Sequence, residues 1–279
     1  MKNIESVKAK IRNLSKKSSL NSQEILQMYF FERFLKRLSI SDYMTNFVIK
    51  GGFLISSMIG VESRTTKDLD TTVKGVPLKE DLIRKIIKEI VEKDVGDGVS
   101  FEIKDVNRIM EEEEYENFRV SLFAVADGTK ATLKIDITTG DSITPKEIKF
   151  QYSGIFKNEN IEVLAYSLET ILAEKYETII SRNITTTRMR DFYDIYALFK
   201  LKEKEIKFET LKKAITNTSI KRGSFEIIKN SEEIIKEIKN DNYLKSLWQV
   251  YIDENKYIGN LEFETTIDVL KTLFRKMKF

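Results

Sequence analysis

The sequence predicts an α+β protein, a half that mixes strands and helices followed by an all-helical half. Three observations carry this. Residues 68–74 alternate polar and apolar as a strand does, and similar stretches lie at 99–106, 118–126 and 130–138. Helical periodicity lies around them at 22–38 and 78–93. From residue 160 onward the pattern is helical alone, at 167–181, 190–200, 208–216, 224–238 and 262–277. The division is placed at 1–158 and 159–279, the first part opening with a helical arm. Pro77 and Pro145 are the only prolines, and no internal repeat is found.

Each element follows from its residues. In "SQEILQMYFFERFLKRL", Met28, Phe31, Leu35 and Leu38 make one helical stripe that Ile25 and Phe34 extend, with Glu32, Arg33, Lys36 and Arg37 on the more polar side. A short strand at 47–50 meets the turn Gly51-Gly52, and 53–59 reads as a short helix. Leu82, Ile83, Ile86, Ile87 and Ile90 define the helix at 78–93. Asp127-Gly128 is a hairpin signal between two strands, and the acidic run at 111–114 reads as a solvated loop or helix face.

Composition narrows the chemistry. The chain has 279 residues, enough for one large domain or two modest ones, and 41% hydrophobic residues supply a core. Lys+Arg 47 against Asp+Glu 44 leaves +3, so net charge selects no partner. Lys2, Lys8, Lys10, Arg12, Lys16 and Lys17 against Glu5 make a basic arm, suited to a nucleic-acid backbone or to a solvated helix face. With no cysteine and no histidine, disulfides, Cys/His metal sites, Cys nucleophiles and His bases are excluded. Catalysis must run on carboxylates, Lys, Arg, Tyr, Ser or Thr, and a metal must sit on oxygen ligands, which favours Mg²⁺, Mn²⁺ or Ca²⁺. The basic N-terminus is followed by no apolar h-region, and no apolar run reaches the length of a membrane span, so a cytoplasmic location is expected.

The residues that carry chemistry lie in a few short segments. Alternation on a strand puts Asp68 and Asp70 of "KDLDTTV" on one face and Leu69 and Thr71 on the other. The same rule groups Lys134 with Asp136 in "ATLKIDITTG". Asp136 is a candidate third carboxylate if the two strands are neighbours. Three carboxylates on one face repel unless a cation sits among them, or else each faces solvent independently. Gly51-Gly52 after Lys50 lets main-chain N–H groups approach a phosphate, though an ordinary strand-to-helix turn would use the same residues. Lys175 falls on the inward stripe of Leu168, Ile171, Leu172 and Ile179, where it either snorkels or meets buried negative charge. In "TTTRMRDFYDIYALF", Asp191 and Asp194 are neighbours on a helix, preceded by Arg188 and Arg190. Asp191 either favours a helix dipole, orients Lys175 or an arginine, or acts as a general base.

Taken together, the segments "QMYFFERFLKRLSISDYMTNFVIKGGFLI", "ESRTTKDLDTTV", "LKIDITTGD", "LETILAEKYETIISR" and "RDFYDIYAL" resemble the AbiEii/AbiGii toxin family, nucleotidyltransferases of the DNA polymerase β-like superfamily. The resemblance spans most of the chain. It implies a nucleotidyltransferase domain with a mixed sheet and flanking helices, then a helical domain that contributes to the active site. It implies Mg²⁺ (or Mn²⁺) on Asp68, Asp70 and Asp136, and a nucleoside triphosphate at Lys50, Gly51, Gly52, Arg64, Thr66 and Lys175. Asp191 would serve in catalysis. In one departure, Phe53 stands where the superfamily favours serine after the glycine, leaving Ser56 or Ser57 to supply a hydroxyl.

The family resemblance further implies the toxin half of a toxin–antitoxin pair linked to abortive phage infection. Its partner would be an AbiEi-like DNA-binding antitoxin. The reaction implied is transfer of a nucleotide from an NTP to an RNA 3′ end, with tRNA the expected acceptor. The alternatives are nucleotidyl or phosphoryl transfer to a protein hydroxyl, or a binding module without turnover.

Overall fold

The structure, a computed structural model, describes residues 4–18, 20–64, 66–77, 79–109, 117–126, 128–156 and 159–278. The acidic run at 111–114, Asp127 of the hairpin signal and Lys2 of the basic arm lie outside them. The chain divides into two compact units, Met1–Asp141 with Ile148–Ala165, and Ser142–Glu147 with Tyr166–Phe279.

The first unit holds α1 (Ile4–Lys17), α2 (Ser22–Leu38), β1 (Phe47–Lys50), α3 (Gly51–Ile59), β2 (Asp68–Val73), α4 (Glu80–Val91), β3 (Ser100–Ile109), β4 (Asn117–Ala126), β5 (Thr129–Thr139), β6 (Ile148–Ser153) and β7 (Asn160–Ala165). The seven strands form one sheet in the order β3-β4-β5-β2-β1-β7-β6. β2 runs parallel to β5 and β1 parallel to β7, while the other neighbours are antiparallel. The β6–β7 hairpin was not expected. Ile148, Phe150 and Tyr152 alternate with polar residues, but only Tyr152 is buried, so the strand's apolar side is too weakly marked to stand out.

α2 begins in a capping box: Asn21 Oδ1 accepts the Glu24 N–H at 2.9 Å, and Glu24 Oε2 accepts the Asn21 N–H at 2.9 Å. Its apolar stripe is buried as expected, but so are Glu32, Arg33 and Arg37 of the side read as polar. A helix packed between β5, β7, α1 and α4 has little solvent side left, so its charges must be paired. Arg37 forks onto Asp97 at 2.9 Å and 2.9 Å and donates to the Val99 carbonyl at 2.6 Å. Glu32 accepts the Ile155 N–H at 2.7 Å and pairs with Arg33, which also reaches Glu159. Burial is the largest influence on Glu32 and raises its pKa despite these partners.

Leu69, Leu133, Ile135 and Ile137 are fully buried on the back of the sheet. Strand alternation therefore presents Asp68, Asp70 and Asp136 at the front. The register completes this, placing Asp70 opposite Asp136 and Asp68 opposite Lys134.

The second unit is helical: α5 (Leu168–Arg182), α6 (Met189–Lys202), α7 (Phe208–Lys221), α8 (Phe225–Lys229), α9 (Ser231–Asn240), α10 (Asn242–Glu254) and α11 (Phe263–Met277). The helix expected at 224–238 breaks at Asn230 into α8 and α9, and α10 was not expected. α10 buries only Leu244, Trp248 and Tyr251, too sparse a stripe to read. Trp248 packs on Phe263, which packs on Phe192, and the indole N–H reaches the Leu261 carbonyl at 2.8 Å. Among the described residues no helix is long and apolar enough to cross a membrane.

Candidate active site

The turn from β1 into α3 is built around two close approaches. Gly51 has φ +62°, and a Cβ there would lie 2.0 Å from Asp70 Oδ2. A Cβ on Gly52 would lie 2.5 Å from an Arg64 guanidinium nitrogen and 2.7 Å from Thr66 Oγ1. The paired glycines therefore make room for side chains of this same chain. Asp70 Oδ2 accepts the Gly52 N–H at 3.1 Å, which sets a carboxylate at the positive end of α3. Arg64, 2% exposed, donates to the Gly52 carbonyl at 2.7 Å. Thr66 Oγ1 donates to the Asp68 carbonyl at 2.9 Å and holds the start of β2. Lys50 pairs with Asp141 at 2.6 Å, and Thr138 donates to the same Asp141 oxygen at 2.8 Å.

Asp136 has a partner that the sequence reading missed. Arg119 on β4, directly opposite Asp136, forks onto it with Nε and Nη2 each at 2.7 Å. The hydrogen bond to Asp136 leads the causes that raise the Arg119 pKa, so the guanidinium stays charged. The expected cation among the carboxylates is thus supplied in part by the protein. Arg119 offsets one of the three aspartate charges on this face, and Lys134 stands opposite Asp68 on the same face. The signal was present in "NFRVSLF", where Arg119 sits at the front position of an alternating strand.

The carboxylates bring oxygen donors suited to a hard divalent ion, and Asp68 Oδ1 is buried with no hydrogen-bond partner. That orphaned oxygen is the observation that fits a bound cation. Among the described residues no group of three or more acidic side chains converges as a ready-made cage. Asp68 and Asp70 lie at the centre of this candidate site, and Asp136 stands beside them in Arg119's fork.

The expected hydroxyl substitution is corrected. Ser56 is fully buried and donates to the Arg64 carbonyl at 2.7 Å, and Ser57 donates to the Phe53 carbonyl at 2.8 Å. Phe53 points into the core, stacked on Tyr152 at 5.2 Å and edge-on to Phe31 at 5.8 Å. An aromatic at this position serves packing, Ser56 is buried in the core, and the half-buried Ser57 spends its hydroxyl hydrogen on its own helix.

In the second unit, Lys175 meets buried negative charge rather than snorkelling. Its amine pairs with Asp191 and lies 3.0 Å from Asp194 Oδ2. Asp191 sits in the first turn of α6 and also accepts from Arg188 Nε at 2.8 Å. One aspartate thus holds a lysine and an arginine together. Asp194, fully buried, was not among the expected site residues, although its spacing from Asp191 places both on one side of α6. Asp194→Asn keeps the shape but removes an anionic partner from a mostly buried ammonium. It is expected to lower unfolding stability by about 1.5–3 kcal/mol, read by urea denaturation. Unchanged stability would show that Asp191 alone satisfies Lys175.

This sheet, with paired carboxylates at its front and a glycine turn beside them, has the architecture of a nucleotidyltransferase. Two solved structures share the fold. A putative nucleotidyltransferase from H. pylori aligns over 93% of this chain and 98% of its own, at 15% identity and TM-score 0.52. JHP933 from Helicobacter pylori aligns over 93% and 95%, at 16% identity and TM-score 0.52. Among curated proteins none matches the chain. A family model described as nucleotidyl transferase AbiEii toxin, type IV TA system, matches residues 33–269, and the chain belongs to that family. It is a nucleotidyltransferase of the toxin class, in a family that implies an antitoxin and a nucleoside triphosphate as partners.

Proposed function

We propose that the protein transfers a nucleotide from an NTP to the 3′ end of an RNA, tRNA being the favoured acceptor, with a divalent cation, Mg²⁺ or Mn²⁺, held by Asp68 and Asp70. The observation that carries it is the unpartnered, buried Asp68 oxygen, on the sheet face that also presents the Asp70 carboxylate. When bound, such a cation lowers the pKa of an attacking hydroxyl and offsets charge developing at phosphate. Asp70 is fixed by the Gly52 N–H, and Asp136, held by Arg119, would be the third carboxylate ligand. The phosphates are assigned to Lys50 and the Gly51-Gly52 turn, with Arg64 and Thr66 packed behind the glycines, as the family resemblance implies. Lys175 neutralises the triphosphate, with Asp191 holding it in place, as the family resemblance implies. The acceptor 3′-oxygen bonds to the α-phosphorus as the bond to pyrophosphate breaks. As a member of an abortive-infection family, the protein acts in the cytoplasm, opposed by an AbiEi-like antitoxin.

A transfer assay tests this. Purified protein is incubated with Mg²⁺, each α-labelled NTP in turn, and total bacterial RNA, beside the Asp68→Ala/Asp70→Ala protein and a chelated control. Label in a tRNA-sized band, absent from both controls, is the expected result. Label in protein instead would support hydroxyl modification of a protein, and nucleotide binding without any label would support the module without turnover.

A further inference from the structure

We propose that the front of β3, β4 and β5 is a platform for a single-stranded stretch of the acceptor RNA, with Phe123 as its stacking ring and Lys104, Lys130 and Lys134 as its phosphate partners. This deepens the RNA reading and rests on it. The register draws the surface: the row Asp70, Asp136, Arg119, Asn107 crosses the four strands. Asp68, Lys134, Ser121 and Asp105 form the next row, and Thr132, Phe123 and Glu102 the one after it. All of these point to the side that carries the aspartates.

Phe123 breaks the polar pattern of that face. It is half-exposed, and it is the only aromatic ring on the front of these three strands among the described residues. The Lys130 amine sits 3.3 Å from its ring centroid and the Lys104 amine 5.8 Å from it. A ring that an ammonium can reach so closely presents an open π-face, the surface on which a nucleobase stacks. Both lysines are exposed and on flexible stems, so each can turn from the ring to a phosphate when a base takes its place. Lys134, also exposed, continues the cationic line toward Asp136. The acids of β3 are Glu102, beside Phe123, and Asp105, whose carboxylate lies 3.9 Å from Lys104, while Asp136 on β5 is held by Arg119.

The geometry sets a length. From Thr132, opposite Phe123, to Asp136 is four residues of β5, and β4 is one strand away, so ring and carboxylate are about 14 Å apart. That spans about four stacked nucleotides. The ring therefore meets the acceptor a few nucleotides upstream of the reacting 3′ end.

The test compares a dodecanucleotide with a dinucleotide RNA acceptor, using the full chain. Phe123→Ala is expected to weaken dodecanucleotide binding roughly tenfold, measured by fluorescence anisotropy, and to raise its KM without changing kcat. The loss should vanish with the dinucleotide, and Phe123→Trp should restore affinity. Lys104→Ala/Lys130→Ala should flatten the salt dependence of binding by roughly 1.4 in log–log slope, whereas Phe123→Ala leaves that slope unchanged. Nucleotide affinity checks that each variant is folded. If wild type extends RNA and both variants bind the dodecanucleotide as well as wild type does, the platform is wrong and RNA transfer stands. If wild type neither binds nor extends any RNA, both fall.

Discussion

Asp70→Ala is expected to abolish nucleotide transfer while leaving the chain folded. The surroundings of this side chain set its weight in folding. It accepts the Gly52 N–H at 3.1 Å, stands opposite Asp136 across the β2–β5 ladder, and shares a face with Asp68 two residues away. The first favours folding by about 1 kcal/mol, the usual contribution of a side-chain acceptor at a helix start. Asp136 opposes it, since like charges opposite one another in a sheet destabilise by roughly 0.2–1 kcal/mol, and Asp68 adds repulsion, while Lys50, opposite Asp70 across the β1–β2 ladder, favours it by a similar amount. These effects nearly cancel, so the thermal midpoint should stay close to wild type. Activity has no such offset. With one of the two central carboxylates gone, transfer should fall at least about a hundredfold. Asp70→Asn sharpens the test, because it keeps the acceptor for Gly52 and removes only the charge. It should match wild type in stability and match Asp70→Ala in lost pyrophosphate release. Full activity in either variant would remove Asp70 from the site.

How much of this was legible in the sequence depended on whether a signal was local. Asp68 and Asp70 share a face by alternation alone, and the α2 stripe from Ile25 to Leu38 is buried as its periodicity predicts. The family segments carried the fold class, but not the β6–β7 hairpin or α10. Arg119 was not legible in the same way. Its meaning lies in a cross-strand register with Asp136, and register is a long-range property that no run of residues displays. The same holds for Arg64, whose position in "VESRTTKD" suggests a pocket residue but whose guanidinium is spent on the Gly52 carbonyl. Lys175 shows the intermediate case. Its place on an apolar stripe left snorkelling and a buried anionic partner both open, and only tertiary packing could decide for the second and name Asp191 and Asp194.

Gly51→Ala is expected to damage both stability and activity, and to do so through Asp70. The added methyl faces two separate costs. At φ +62° an L-residue is held in the left-handed region, which costs roughly 1–2 kcal/mol. The methyl would also lie 2.0 Å from Asp70 Oδ2, 2.6 Å from its Cγ and 2.8 Å from its Cβ, distances at which something must move. The carboxylate is the movable part, and turning it away breaks its bond to the Gly52 N–H. Transfer should therefore drop about as far as in Asp70→Ala, and stability should fall by about 2–4 kcal/mol, the strain together with the clash and the lost bond. Gly52→Ala separates the causes. Gly52 is outside the positive-φ region, and its methyl would press on Arg64 and Thr66 instead of Asp70. Its effect should be mainly on stability. The double variant Gly51→Ala/Asp70→Ala decides whether the coupling is direct. With no carboxylate to displace, its stability loss should be smaller than the sum of the two single losses. Simple additivity in urea denaturation would mean that the strain at residue 51 acts alone, and that the glycine is not there to admit Asp70.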